Sequence, residues 1–230
     1  MFQNNLLMAA SAATSGTSLV SVGKSALYDR NNSENLSRTP ASAGNTTTWT
    51  FSTWLNRGYI SRGTVSVFEG WVDVNNRVQM YYNSTTDVFT IWFTVSSTGK
   101  TIDLSEVHRG TGWYNIVVRW DYTQTVNANK VIIYVNGVAA TLDTAQYHST
   151  STASQVNGDN AQYIGTTGYG TGYEFDGYMA ETVMIDGQAL TAESFGEFDS
   201  TGLYWTPLSS ATIKALTFGT NGFYLDNATN

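Results

Sequence analysis

Three acids in the stretch YIGTTGYGTGYEFDGYMAETVMIDGQAL, residues 163–190, lie close enough together to raise the question of catalysis: Glu174, Asp176 and Glu181. Glycoside hydrolysis needs two carboxylates, one to protonate the leaving oxygen and one to attack or to activate water. A Glu-x-Asp-x-(x)-Glu run on one strand would supply them, because every second side chain faces the same way. Glu174 and Asp176 keep that alternation. Glu181 lies five positions beyond Asp176, an odd offset that turns it to the other face unless a bulge intervenes, and Gly177 could host one. The spacing argues against a reaction centre. Glu181 is expected at a sheet edge or bulge, accepting backbone N–H groups.

Other chemistries have less to work with. The two histidines, His108 and His148, sit in SEVHRGTGW and QYHSTSTASQ, which read as solvated loops. There is no Gly-x-Ser-x-Gly elbow, and with no cysteine there is neither a thiol nucleophile nor a disulfide. Oxygen ligands for calcium could come from Asp73, Asn75 and Asn76 or from Asp159 and Asn160, but Asp and Asn are also the ordinary residues of turns. No metal ligand set is assigned, and calcium stays possible. The loop GTTGYGTGYEFD is the best candidate for binding. Tyr169 and Tyr173 could stack on the C–H face of a sugar while Asp176 bonds its hydroxyls. Tyrosines that merely cover a sheet edge would look the same.

The elements around this loop read as strands. In TWTFSTWLNRG (48–58), Trp49, Phe51, Thr53 and Leu55 share one face and Trp54 points to the other. VQMYYNSTTDVFTIWFTV (78–95) is two strands about a polar turn. GWYNIVVRWDY (112–122) leads to NKVIIYVNGVAATL (129–142), where Asn136-Gly137 is a strong hairpin signal, since a type I′ turn needs positive φ twice. With shorter candidates at 25–28, 35–38, 65–69, 101–104, 203–206 and 223–225, the spacing predicts an all-β sandwich or barrel. One short helix is expected near 190–196, with Thr191 as its N-cap. Trp49, Phe51, Phe89, Trp92, Trp113 and Trp120 are expected in the core.

Composition closes off several functions. Of 230 residues, 41% are hydrophobic and 13% charged, with a net charge of −7. Residues 131–213 contain no Lys or Arg, so there is no basic stripe for nucleic acid. No apolar run is long enough to span a membrane as a helix. The first residues, MFQNNLLMAASAATSGTSLVS, lack a basic flank before their apolar patch; they are expected to form an extended arm, residues 1–20, ahead of a single domain, 21–230.

The order of these motifs resembles a laminin-G-like, concanavalin A-like domain. TWTFSTWLNRG, WYNIVVRWDYTQ with KVIIYVNGVAA, and YIGTTGYGTGYEFDGYMAETVMIDGQALTAESF carry the likeness, which covers residues 35–225. The resemblance implies an antiparallel jelly-roll β-sandwich. ENLSRTPASAGN, GQALTAESFGEFDSTGLYWTP, GTNGFYLD and the opening MFQNNLLMAA are further similar to a subgroup found in tailed-phage structural proteins. That subgroup implies a non-enzymatic virion-associated structural or adhesion protein, a head decoration or a tail or fibre protein. Its partners would be other virion proteins, further copies of itself, and glycans at the rim loops. A carbohydrate-active enzyme of the same fold, or a secreted lectin or adhesin, is the alternative.

Overall fold

The computed structural model describes residues 24–58, 63–108 and 112–226; the arm expected at residues 1–20 lies outside them. In chain order the first strands are β1 (Ala26–Tyr28), β2 (Leu36–Arg38), β3 (Thr48–Arg57), β4 (Val65–Asp73), β5 (Asn76–Tyr82), β6 (Phe89–Val95), β7 (Thr98–Leu104) and β8 (Tyr114–Asp121). Then follow β9 (Val131–Val135), β10 (Val138–Ala139), β11 (Leu142–Ala145), β12 (Ala161–Ile164), β13 (Gly177–Asp186), β14 (Gly196–Phe198), β15 (Trp205–Pro207) and β16 (Phe223–Leu225). The only α-helix among the described residues is α1 (Ser210–Lys214).

Two seven-stranded antiparallel sheets face each other as a jelly-roll sandwich. The front sheet runs β1-β13-β3-β8-β9-β10, with β16 also on β13, and the back sheet runs β11-β7-β6-β5-β4-β12-β2. Alternation explains why they stack. Trp49, Phe51 and Leu55 of β3 and Ile116, Val118 and Trp120 of β8 point at Phe68, Val78, Met80, Ile91, Phe93 and Ile102 of the back sheet. Trp49 and Trp120 stack with ring centres 4.8 Å apart, and Phe93 meets Trp120 edge-on at 5.1 Å. The Trp49 indole N–H donates to Ser154 Oγ at 3.0 Å, so the ring is buried without an orphaned donor.

A second apolar cluster covers the outer face of the front sheet. Val117, Val183 and Ile185 point away from the main core and are capped by Ala192, Phe195 and Ile213 of the following segment. The β14–β15 hairpin belongs to this cover. The Trp205 ring lies across Gly137, where a β-carbon would come within 2.3 Å of it, and its indole N–H donates to Asn115 Oδ1. Asn136 and Gly137 both have positive φ, 47° and 81°, as the hairpin signal requires.

Several expectations need correction. The helical element near 190–196 is a single 3-10 turn, Ala192–Ser194, and Thr191 makes no side-chain cap. The α-helix lies further on, where the Ser209 hydroxyl accepts from Thr212 N. Trp92 and Trp113 are not in the core. Trp92 alternates with Ile91 and Phe93 and so faces outward from the back sheet, half-buried. Trp113 precedes β8 and rests, half-buried, against Tyr178. The histidines are not fully solvated either. His148 packs on Phe93 at 4.5 Å and bonds its carbonyl, while His108 lies over Tyr114 at 6.1 Å; burial lowers both imidazole pKa values.

Candidate functional site

The rim loop between β12 and β13 is stitched to β4 at both ends. Gly165 N donates to Val67 O, Ser66 N to Tyr173 O, and Phe175 N closes the neck on Gly165 O at 2.8 Å. The carboxylate of Glu69 holds the middle. Alternation turns Glu69 to the outer face of the back sheet, yet it is fully buried because the loop sits on it. Oε2 accepts from Thr167 Oγ1 at 2.5 Å and from Gly168 N at 2.7 Å, and Oε1 faces Arg77 Nη1 at 3.3 Å. Burial pushes the Glu69 pKa up, against the pull of those donors.

The anchor sets an aromatic platform. Gly168 lies so close to Trp71 that a β-carbon would sit 2.5 Å from the indole. Tyr169, 53% exposed, then meets Trp71 edge-on at 6.3 Å and Tyr173 at 5.8 Å. The Arg77 guanidinium lies 5.3 Å from the Tyr169 ring centre and 5.7 Å from that of Trp71. The two tyrosines named from the sequence therefore belong together. Asp176 lies beyond the neck, where its carbonyl accepts from Gly58 N at 2.9 Å. Trp71, Arg77 and Glu69 escaped the sequence reading, although their parity with Gln79 along the β4–β5 hairpin places all of them on the outer face.

The three acids of the opening question go to three places. Glu174 accepts from Gly172 N at 2.9 Å and lies 4.0 Å from Arg30 Nε, beside an open depression that Arg30, Asn31, Ser33 and Thr171 also line. Asp176 borders the end of β3. Glu181 occupies a bulge of β13, between the pairs Ala180–Trp54 and Val183–Ser52, with φ of 49°. The bulge is at Glu181 itself, not at Gly177. Its carboxylate accepts from the Tyr224 hydroxyl rather than from backbone N–H groups, and burial raises its pKa.

Two of the side chains considered for calcium, Asp73 and Asn160, are engaged in turns. Asp73 Oδ1 accepts from Asn75 N and Asn76 Nδ2, closing the β4–β5 hairpin, and Asn160 Nδ2 donates to Gln155 O and Ala161 O. Among the described residues, no three acids or histidines come together in a way that could hold a metal. A second hub, with no motif to mark it in the sequence, is centred on Asp186. Asp186 takes Asn45 N at 2.7 Å and Asn221 N at 2.9 Å, joining early, middle and late parts of the chain.

The family model described as the concanavalin A-like lectin/glucanases superfamily matches residues 30–194, well over half of the chain. The protein belongs to this superfamily. Among curated proteins none matches it in sequence. Solved structures share the fold at low identity. Domain 4 of AbnA, an extracellular arabinanase from Geobacillus stearothermophilus held in complex with arabinotriose, is 17% identical with a TM-score of 0.54, covering 74% of this chain and 73% of that one. Tailspike protein 2 of the Escherichia coli O157:H7 bacteriophage CAB120 is 9% identical with a TM-score of 0.53, over 90% of this chain and 27% of its own. Domains LG4-5 of the mouse laminin alpha1 chain are 9% identical with a TM-score of 0.51, over 93% and 49%. At these identities the likeness is one of fold. No helix among the described residues is long and apolar enough to cross a membrane.

Proposed function

We propose that this protein is a non-enzymatic adhesion module that binds glycan at the rim loop 165–175. The observation that carries the reading is the Tyr169–Trp71–Tyr173 platform, half-open to water and fixed from beneath by Glu69 and Arg77. Aromatic faces held rigid beside polar groups suit the mixed apolar and hydroxylated surface of a sugar, and pre-ordering them lowers the entropy lost on binding. The acids support a non-catalytic role: Glu69 is occupied by the loop, Glu181 by Tyr224, and Glu174 by Gly172 and Arg30. Hydrolysis would need two of them flanking one open cleft.

Its setting is a virus particle, with the arm of residues 1–20 docking to other virion subunits or further copies of the chain, and the platform facing host or environmental glycans. Support comes from the motifs shared with tailed-phage structural proteins and from a fold also used by a phage tailspike. A glycan array tests the first part: the wild type should bind a discrete set of glycans and Tyr169→Ala should lose them. If the variant binds the same set equally well, the platform is not the site. Mass spectrometry of purified particles tests the second part, and absence of the protein from every particle fraction would refute it.

A further inference from the structure

The outer face of the back sheet continues beyond the rim loop. Neighbouring strands align Tyr163, Glu69, Gln79, Trp92 and Thr101 in one row and Trp71, Arg77, Thr94 and Gly99 in the next. These are the side chains that alternation takes away from the core. Trp92 lies across Gly99 so closely that a β-carbon there would be 2.4 Å from the indole. Glycine at that position lets the ring lie down on the sheet, half-buried, with one face toward solvent. At the opposite end, Gly168 does the same for the loop over Trp71. Gln79 and Thr94 floor the space between, and Arg77 and Thr101 reach solvent beside them.

Trp71 and Trp92 are two strands and two positions apart, so their α-carbons are separated by about 12 Å. Their rings lean outward from each other, one toward the rim loop and one toward β7. One sugar ring cannot touch both; a short chain of them can. Charge narrows the ligand further. Among the described residues of these strands, the cation on this face is Arg77, and Glu69 at 3.3 Å neutralises it. Asp103 accepts from Thr90 at 2.6 Å. An anionic polymer would find no unpaired positive charge here and would meet a protein of net charge −7.

We propose that this face is a groove for an extended, uncharged polysaccharide, with Tyr169 and Trp71 holding one end and Trp92 a more distant unit. This rests on the glycan reading of the rim loop and adds to it the length and charge class of the ligand. The test is calorimetric titration with ladders of neutral gluco-, manno-, xylo- and arabino-oligosaccharides, from single sugars to hexasaccharides. For at least one ladder, affinity rises with length until the chain spans both indoles. Trp92→Ala lowers affinity for the longest members about tenfold and leaves the shortest unchanged. Trp92→Tyr, which keeps a ring, restores most of the gain, and Tyr169→Ala weakens every length. Thermal melting of each variant separates lost binding from lost fold. Affinity independent of length, or a length gain that survives Trp92→Ala in a folded variant, overturns the groove while leaving the rim loop as a site. If no ladder binds, the groove falls whatever the array shows for the loop.

Discussion

The two sheets follow the same in-out alternation, yet their outer faces end up in opposite conditions. On the front sheet the outward residues are Val117, Val183 and Ile185, and the segment from Leu190 to Phe218 folds over them. On the back sheet they are Trp71, Arg77, Gln79, Trp92 and Thr101, and among the described residues no apolar cluster covers them. Aliphatic side chains need a lid because water gains nothing from touching them. Indoles flanked by amides, hydroxyls and a guanidinium tolerate a wet boundary, since their neighbours keep hydrogen-bonding to solvent. One outer face is therefore sealed by an apolar lid, and the other keeps half-buried indoles at its surface.

Substitutions on each side should separate these roles. The largest loss is expected in the shared core: Trp49→Ala should cost about 3–5 kcal/mol, read as a shift in the denaturation midpoint. Phe195→Ala, which uncaps the front sheet, should cost nearly as much, about 3–4 kcal/mol, and leave glycan binding intact in the fraction that folds. Gly137→Ala should cost about 1–3 kcal/mol, because it puts a methyl into the Trp205 ring at a positive φ. Trp92→Ala should cost only about 1 kcal/mol, although by size alone it matches Trp49. If Trp92→Ala is as damaging as Trp49→Ala, the two faces are not different in kind.

The smallest effect concerns pH. Burial raises the carboxyl pKa of both Glu181 and Glu69 above the ordinary 4.5, so the folded protein holds these protons more tightly than the unfolded chain does. Their contribution to stability is fully present below 4.5 and is lost as pH rises through the raised folded values. Glu181→Gln should flatten the melting-temperature profile above that point, a change of about 2 °C. A profile unchanged by the substitution would show that Glu181 does not titrate in this window.

Much of this was legible in the sequence, and the misses have physical causes. Strong alternation in TWTFSTWLNR and YNIVVRWD, together with the Asn-Gly turn, marks the centre of the front sheet to within a residue or two. Short strands such as Ala161–Ile164 and Leu142–Ala145 carry too few residues to establish a period. The size of Trp92 suggests a core residue, but its phase rules that out: in FTIWFTV it cannot share a face with Phe89 and Phe93. For the candidate site, Tyr169 and Tyr173 were visible as a loop motif. Glu69, Trp71 and Arg77 come from a hairpin some ninety residues earlier, and only the pairing of β4 with β12 brings them beneath the loop.

The knot at Asp186 has a consequence for how the chain is made. Its two carboxylate oxygens take amides at Asn45 and Asn221, so the charge has both backbone partners only after Asn221 has been synthesised. A nascent chain still short of Asn221 carries a half-satisfied anion at the heart of its closure. Final locking of the sandwich at this knot therefore waits for Asn221, whatever the order in which the strands before it pair.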